Sequence, residues 1–156
     1  MNNLINTVRL NYKYIALLAW MLVIFLLSNE SAGVSSGRST VIVSILSGSF
    51  HLGTPQMILT FLVRKSAHII AYFILGILIF NVVRNYQIRR ISMIAIALGL
   101  AFCYAASDEF HQLFVVGRSC ELRDIIIDTT ASLAGILVTS LICWILAKNK
   151  TKQDRL

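Results

Sequence analysis

The sequence predicts an all-α integral membrane protein, a four-helix bundle with a short interfacial or re-entrant segment after its first span. Of the 156 residues, 57% are hydrophobic and only 13% are charged, whereas soluble domains carry about 25% charged residues. The apolar residues form four long runs at about 12–28, 62–83, 91–112 and 124–147, close to the roughly 20 residues that cross a bilayer as a helix. With one Pro and no low-complexity tract, residues 1–156 are expected to form a single domain.

The first apolar run follows a basic start, because Arg9 and Lys13 precede Tyr14–Leu27. Uncleaved anchors and secretory signal peptides share this pattern, and we interpret the run as an anchor, with a signal peptide as the alternative. The apolar stretch Thr40–Phe50 is too short to span, so it is expected to lie on the membrane or dip into it. Thr54 and Pro55 then provide an N-cap and a first helical residue for the second span.

The distribution of Lys and Arg predicts the orientation of the four spans, since cytoplasmic loops carry an excess of both. Nine cations fall on the side of the termini: Arg9, Lys13, Arg84, Arg89, Arg90, Lys148, Lys150, Lys152 and Arg155. Five fall on the other side: Arg38, Arg64, Lys65, Arg118 and Arg123. Both termini are therefore predicted to be cytoplasmic. The net charge of +7 is explained by topology, and nucleic acid is not an expected partner.

Ionisable residues are concentrated in two stretches that this topology places at the outer face. Five of the seven acidic residues lie within Ser107–Gly135: Asp108, Glu109, Glu121, Asp124 and Asp128. A second polar set opens the second span: Arg64, Lys65, His68 and Tyr72. Ionisable groups are costly at membrane depth, so we interpret both sets as parts of one functional site.

Helical spacing supports the interpretation that these two sets of polar residues contact each other. Lys65, His68 and Tyr72 form one stripe of a helix, and Asp108 and Gln112 lie one turn apart. On the last span Asp124 and Asp128 share a face with the small residues Ala131 and Gly135, which permit close helix contact in lipid. The connection between the third and fourth spans is short, so these spans are expected to be antiparallel neighbours.

Three interpretations of the polar residues remain open. They can form a structural network in which Lys65, Arg118 and Arg123 compensate the carboxylates. They can form a pocket that binds an anionic head group through Lys65, His68 and Arg118. They can form a metal or catalytic site from the residues His68, Asp108, Glu109, His111 and Asp124. There is no HExxH motif, and neither a metal nor a cofactor is assigned. The three Cys residues suggest no disulfide framework.

The spaced motifs resemble a known family. Lys65-x-x-His68-x-x-x-Tyr72-x-x-Leu75-Gly76 is followed by Asp108-Glu109-x-x-Gln112-x-Phe114-x-x-Gly117-Arg118 and by Asp124-x-x-x-Asp128 with Gly135. Together with Trp20 and Ser28-Asn29, this combination is similar to the VanZ-like family of small bacterial membrane proteins. The resemblance implies a multi-pass protein of the cytoplasmic membrane and a role in low-level resistance to the glycopeptide teicoplanin.

Two functional hypotheses follow, with a transporter as a third. The first is a binding protein without catalysis, whose outward-facing pocket engages an anionic envelope lipid, a lipid-linked head group or a lipoglycopeptide. The second is an intramembrane hydrolase or transferase acting on a lipid-linked or glycan substrate, with Glu109, Asp124 and His68 as catalytic candidates. The predicted ligand-binding residues are Lys65, His68, Tyr72, Asp108, Glu109, Gln112, Arg118, Asp124 and Asp128. Membrane lipids are expected partners, and the oligomeric state is left open.

Overall fold

A computed structural model describes residues 2–31, 33, 37, 39–44 and 56–153. Its long helices are α1 (Asn2–Ser28), α2 (Gln56–Val83), α3 (Arg90–Gln112) and α4 (Leu122–Gln153). A 3-10 turn at Arg84–Tyr86 joins α2 to α3. All four helices contain a segment long and apolar enough to cross a membrane: Asn11–Ser28, Ile58–Tyr86, Arg90–Gln112 and Leu122–Thr151. The prediction of an all-α bundle of four candidate membrane spans is confirmed.

Only part of the predicted interfacial segment lies within the described residues. Residues 39–44 are helical, and Ser39 and Val43, one turn apart, are both buried. This short helix therefore rests one face on protein and leaves Val41 and Ile42 exposed. The rest of Thr40–Phe50, together with Arg38, His51, Thr54 and Pro55, lies outside the described residues. Whether the segment lies on the membrane or dips into it stays a prediction.

The helices alternate in direction, so α2 and α4 run parallel. Lys65 near the start of α2 contacts Asp124 near the start of α4, and Arg84, directly after the end of α2, contacts Cys143 further along α4. Helix α3 is antiparallel to α4, because Arg90 at its start bonds to Ser140. Helix α1 is antiparallel to α2, with the Trp20 indole donating to the Ala71 carbonyl oxygen at 2.9 Å. The expected pairing of the third and fourth spans is observed.

Small residues bring α2 and α4 into backbone contact. A Cβ atom on Gly76 of α2 would overlap the carbonyl oxygen of Ser132, and one on Gly135 of α4 would overlap the carbonyl oxygen of Phe73. The Ser132 hydroxyl donates to the Tyr72 carbonyl oxygen at 3.0 Å across the same contact. Lipid provides no hydrophobic drive for helices to associate, so close backbone packing and hydrogen bonds between helices replace it.

The remaining core is built from a stripe of small residues on α3 facing larger ones on α2. Ala97, Ala101 and Ala105 recur every four residues and are fully buried. They belong to one cluster with Tyr72, Leu75, Ile79, Phe80 and Ile136. The outward faces carry exposed Leu, Ile and Phe side chains, as expected where lipid is the solvent.

We expect Gly76→Ala to destabilise the bundle by about 1–3 kcal/mol, because the added methyl group forces the α2 and α4 backbones apart. Gly99→Ala on α3 is the matched control, since nothing lies within 4 Å of a Cβ atom there. The control should be neutral or stabilised by up to about 1 kcal/mol through helix propensity. Unfolding titrations with SDS in mixed micelles measure both variants. Equal stability of the two would contradict the close contact.

Candidate functional site

The polar residues singled out from the sequence lie at the end of the bundle where α1 and α3 end and α2 and α4 begin. Helix α2 contributes Lys65, His68 and Tyr72, and α3 contributes Asp108, Glu109 and Gln112. Asp124 and Asp128 lie on the first turns of α4, and Arg118 lies in the connection before it. Gly117 has a φ of 76°, a left-handed conformation that glycine adopts without strain, and it turns the chain so that Arg118 faces the bundle.

Asp108 is the most deeply connected of these groups. Its Oδ2 accepts hydrogen bonds from the Ser28 hydroxyl at 2.9 Å and the Tyr72 hydroxyl at 3.0 Å. The bonds join the ends of α1 and α3 to the middle of α2. All three side chains are buried, so this set links the positions of three helices. Asp108 Oδ1 has no hydrogen-bond partner among the described residues, and Ser28 and Tyr72 also line a cavity.

An ion pair and a His–Asp contact, one turn apart, connect α2 to α4. Lys65 Nζ pairs with Asp124 Oδ2, and His68 Nδ1 lies 3.6 Å from Asp128 Oδ2. The His68 ring stacks on Tyr72 with a centroid separation of 6.4 Å. Asp128 is 1% exposed, whereas the side chains of Lys65 and Asp124 are 19% and 18% exposed. In the inner pair only Asp128 is enclosed, because the His68 side chain is 24% exposed.

Glu109 and Arg118 hold the connection between α3 and α4. Glu109 Oε2 accepts a hydrogen bond from the Glu121 backbone N–H at 3.1 Å, and its side chain is buried. Arg118 Nε donates to the Glu30 carbonyl oxygen at 2.9 Å, and its Nη atoms lie 3.4 Å from Leu27 O and Gln112 Oε1. Among the described residues, no carboxylate forms an ion pair with Arg118. Its hydrogen bonds within the described residues are made to neutral oxygens, while Asp108, Glu109 and Glu30 act on its charge only through space.

Two cavities flank these residues. The first, of about 210 Å³, lies between α1, α2 and the short helix at residues 39–44, and is lined mainly by apolar side chains that include Ile24, Leu27, Ile42 and Ala71. The second, of about 100 Å³, is mainly polar and is lined by residues that include Lys65, Gln112, Glu121, Arg123 and Asp124. Arg64, His68 and Arg118 line both cavities. These three side chains therefore form the boundary between an apolar space and a polar one.

The boundary carries positive charge that the described residues do not pair. Arg64 makes no hydrogen bond or ion pair with any residue in the described ranges, and Arg118 bonds only neutral oxygens. Burial lowers the pKa of the Arg118 guanidinium, the nearby Arg64 charge lowers it further, and Asp108, Glu109 and Glu30 act in the opposite direction. Arginine stays protonated in proteins, so two cations are held close together beside a cavity.

The structure separates some of the predicted site residues from these cavities. Asp108, Glu109 and Asp128 are buried and line neither space, whereas Asp124 and His68 line the polar cavity. His111 turns to α1, where its Nε2 lies 3.2 Å from Asn29 Oδ1 and its ring lies 4.7 Å from Phe25. Within the described residues, no three His, Cys, Asp or Glu side chains are grouped to hold a metal ion. The arrangement does not assemble the five residues that the metal interpretation combined.

Three contributors were not among the predicted ligand-binding residues, although Arg64 belonged to the polar set that opens the second span. Arg64 precedes His68 and Tyr72 at intervals of four residues, so helical spacing alone could have placed it on their face. Ser28 donates a hydrogen bond to Asp108, but the two residues lie on different spans. No local sequence pattern around Ser28 indicates that distant partner. Ser132 contacts α2 and lies one turn after Asp128, a position that the small-residue pattern could have included.

Four apolar helices and a polar cluster between them define a small multi-pass membrane protein. A comparison with known families matches residues 13–145 to the VanZ/LLP1 family. That range covers most of the chain and includes the four candidate spans nearly in full. The chain belongs to the VanZ/LLP1 family, as its motifs predicted. No curated protein and no solved structure matches it.

We expect Tyr72→Phe to destabilise the protein by about 1–3 kcal/mol, because it removes one of the two hydroxyl donors to the buried Asp108 carboxylate. Tyr86→Phe is the matched control: it also deletes a paired hydroxyl, 2.8 Å from that of Tyr14, but at an exposed position. The control should change stability by less than about 0.5 kcal/mol. Thermal unfolding in detergent compares the two. A Tyr72 variant as stable as the control would contradict the bridging role of Asp108.

Proposed function

We propose that this end of the protein binds an anionic amphiphile, with the anionic head at Arg64 and Arg118 and the chain in the apolar cavity. The observation that carries the proposal is the pair of guanidinium groups on the boundary between the two cavities. Neither is ion-paired with a described carboxylate, and each disfavours the charge of the other. An anion at this boundary would provide the missing ion-pair partner and would offset the repulsion between the two guanidinium charges.

The polar cavity suits a phosphate or carboxylate head. Arg64 and Arg118 retain N–H donors that no described residue uses, and guanidinium groups bind such oxyanions with two parallel hydrogen bonds. Lys65 lies beside them but already forms an ion pair with Asp124, so its positive charge is partly neutralised. The polar cavity is small, about 100 Å³, which fits a single head group better than a whole glycopeptide.

The apolar cavity suits one hydrocarbon chain. Ile24 and Leu27 of α1 and Val63 and Ala67 of α2 form its walls, and Ile42 of the short helix adds another. Ligand pockets are commonly apolar with a few polar groups that fix orientation. The proposed ligand places a hydrocarbon chain in this cavity and an anionic head at the arginines. An envelope lipid, a lipid-linked head group and an acylated glycopeptide such as teicoplanin all have these two parts.

The alternative is an enzyme acting on the head group of the same class of ligand. Asp124 and His68 favour it, because these two of the three catalytic candidates line the polar cavity. Glu109 is 1% exposed and accepts a backbone N–H, which argues for a structural role. Asp124 is engaged by Lys65, so it can act as a general base only if that pair opens. Binding without turnover is the simpler use of this geometry.

The binding prediction uses purified protein in phosphatidylcholine nanodiscs with a long-chain isoprenyl phosphate as the probe. We expect it to bind more tightly than the matched uncharged isoprenol, and Arg64→Gln to weaken it about ten- to hundredfold. Losing a charge-assisted hydrogen bond costs about 1.5–3 kcal/mol, which corresponds to that range. Arg64 is the better test residue because Arg118 also holds the α3–α4 connection in place.

Arg89→Gln is the control for the loss of one positive charge, because Arg89 lies at the opposite end, beside the start of α3. Equal binding of the phosphate and the alcohol, or equal losses in the Arg64 and Arg89 variants, would contradict the proposal. Among glycopeptides, teicoplanin carries a lipid chain and vancomycin does not, so the two provide a similar comparison. Recovery of a dephosphorylated probe, abolished by Asp124→Asn, would favour the enzyme instead.

A second experiment tests the proposed sidedness, with both termini cytoplasmic and the cavities at the outer face. Cys120 lies beside Arg118 and is exposed. With Cys103 and Cys143 replaced by Ala, we expect Cys120 to react with a membrane-impermeant maleimide in intact spheroplasts. An Arg89→Cys variant that also lacks Cys120 should react only after permeabilisation, because it lies at the other end. The reverse pattern would place the cavities on the cytoplasmic side.

A further inference from the structure

A third cavity lies at the opposite end of the bundle, where α2 ends, α3 begins and the second half of α4 passes both. Its volume is about 430 Å³, and the residues around it include Phe80, Arg84, Arg90, Met93, Cys143 and Trp144. None of these residues lines either cavity of the proposed amphiphile site. The groove is therefore a separate feature with its own chemistry.

This end of the protein is cationic throughout its described part. Lys13, Arg84, Arg89, Arg90 and Lys148 lie here, at the starts of α1 and α3 and the ends of α2 and α4. Every acidic side chain within the described residues lies at the other end or in the site there. The charge of the groove is thus complementary to an anion, and no described carboxylate competes for it.

The two arginines of the groove are fixed by neutral partners on α4. Arg90 Nε donates to the Ser140 hydroxyl at 2.8 Å, and its guanidinium lies 5.9 Å from the centre of the Trp144 ring. Arg84 Nη1 donates to Cys143 Sγ at 2.7 Å. Each guanidinium has five N–H donors, and the described residues engage one of them in each case. The donors left over can bind a phosphate in the bidentate geometry that arginine favours.

Most of the other lining residues are apolar and belong to the candidate membrane spans. Phe80 and Met93 form one wall, and Leu146 and the Trp144 ring form the other. Trp is typical of the membrane interface, with its ring at the level of the lipid head groups. Basic pockets between membrane helices bind anionic lipid head groups, and the apolar walls supply the place for an acyl chain.

We propose that this groove binds one anionic glycerophospholipid, with its phosphate between Arg84 and Arg90 and an acyl chain against Phe80, Met93 and Leu146. The site is independent of the amphiphile site at the other end. It holds a lipid against the junction of α2, α3 and α4, where these helices make their last contacts.

Native mass spectrometry of protein released from micelles containing phosphatidylglycerol or phosphatidylcholine tests the proposal. We expect retention of one phosphatidylglycerol that survives delipidation and no comparable retention of phosphatidylcholine. Arg84→Gln and Arg90→Gln should each weaken retention about fivefold, in line with the contribution of one basic residue to binding anionic lipid. Arg89→Gln, which removes the same charge outside the groove, should retain the lipid as wild type does. Inorganic phosphate at the same concentration should not displace it, because it lacks the chain.

Several outcomes would overturn the proposal. One is equal loss in the Arg84, Arg89 and Arg90 variants, which would reveal a diffuse surface charge. A second is a protein dimer whose interface protects the groove in place of lipid. If the arginine variants do not fold, crosslinking of the wild-type protein to a phosphatidylglycerol with a photoreactive acyl chain tests the same site. Crosslinks should concentrate at Met93, Trp144 and Leu146, and an even distribution over the exposed faces of α1 to α4 would reject the site.

Discussion

The backbone contact between α2 and α4 is the constraint on which the rest of the structure depends. Gly76 and Gly135 each lie against the main chain of the other helix, and no residue with a Cβ atom fits either position without displacement. This contact fixes the register of two parallel helices in an environment that gives no hydrophobic reward for association. The pairs Lys65–Asp124 and His68–Asp128 occur above it because the register sets those side chains opposite one another.

Once that register is set, the buried carboxylates become structural. Asp108 accepts from Ser28 and Tyr72, and Glu109 accepts from the Glu121 backbone. The satisfaction is partial, because Asp108 Oδ1 and Asp128 Oδ2 are buried with no hydrogen-bond partner among the described residues, and a buried polar atom without a partner is costly. Arg64 and Arg118 have no carboxylate ion-pair partner within the described ranges. That absence of ion pairs is the observation that supports the proposed recognition of an anion.

The sequence predicted what periodicity and hydropathy can encode. It predicted four apolar helices, the stripe Lys65–His68–Tyr72 and the small residues of α4, because each is a local pattern on one helix. It did not predict that Ser28 meets Asp108, since that contact joins residues 80 positions apart and depends on how helices order themselves around a bundle. Lipid-facing and protein-facing surfaces are equally apolar here, so hydrophobicity carries little information about that order.

The same limit explains why the sequence and the structure suggest different roles for the arginines. One interpretation of the sequence had Arg118 compensating the crowded carboxylates, and another had it binding an anionic head group. The turn at Gly117 directs it instead to the carbonyl oxygens of Leu27 and Glu30, which stabilise a cation without cancelling its charge. Arg64, one turn before His68, then adds a second charge to the same boundary. Neither arginine has a carboxylate ion-pair partner within the described part of the chain, and this is the observation on which the proposed anionic ligand rests.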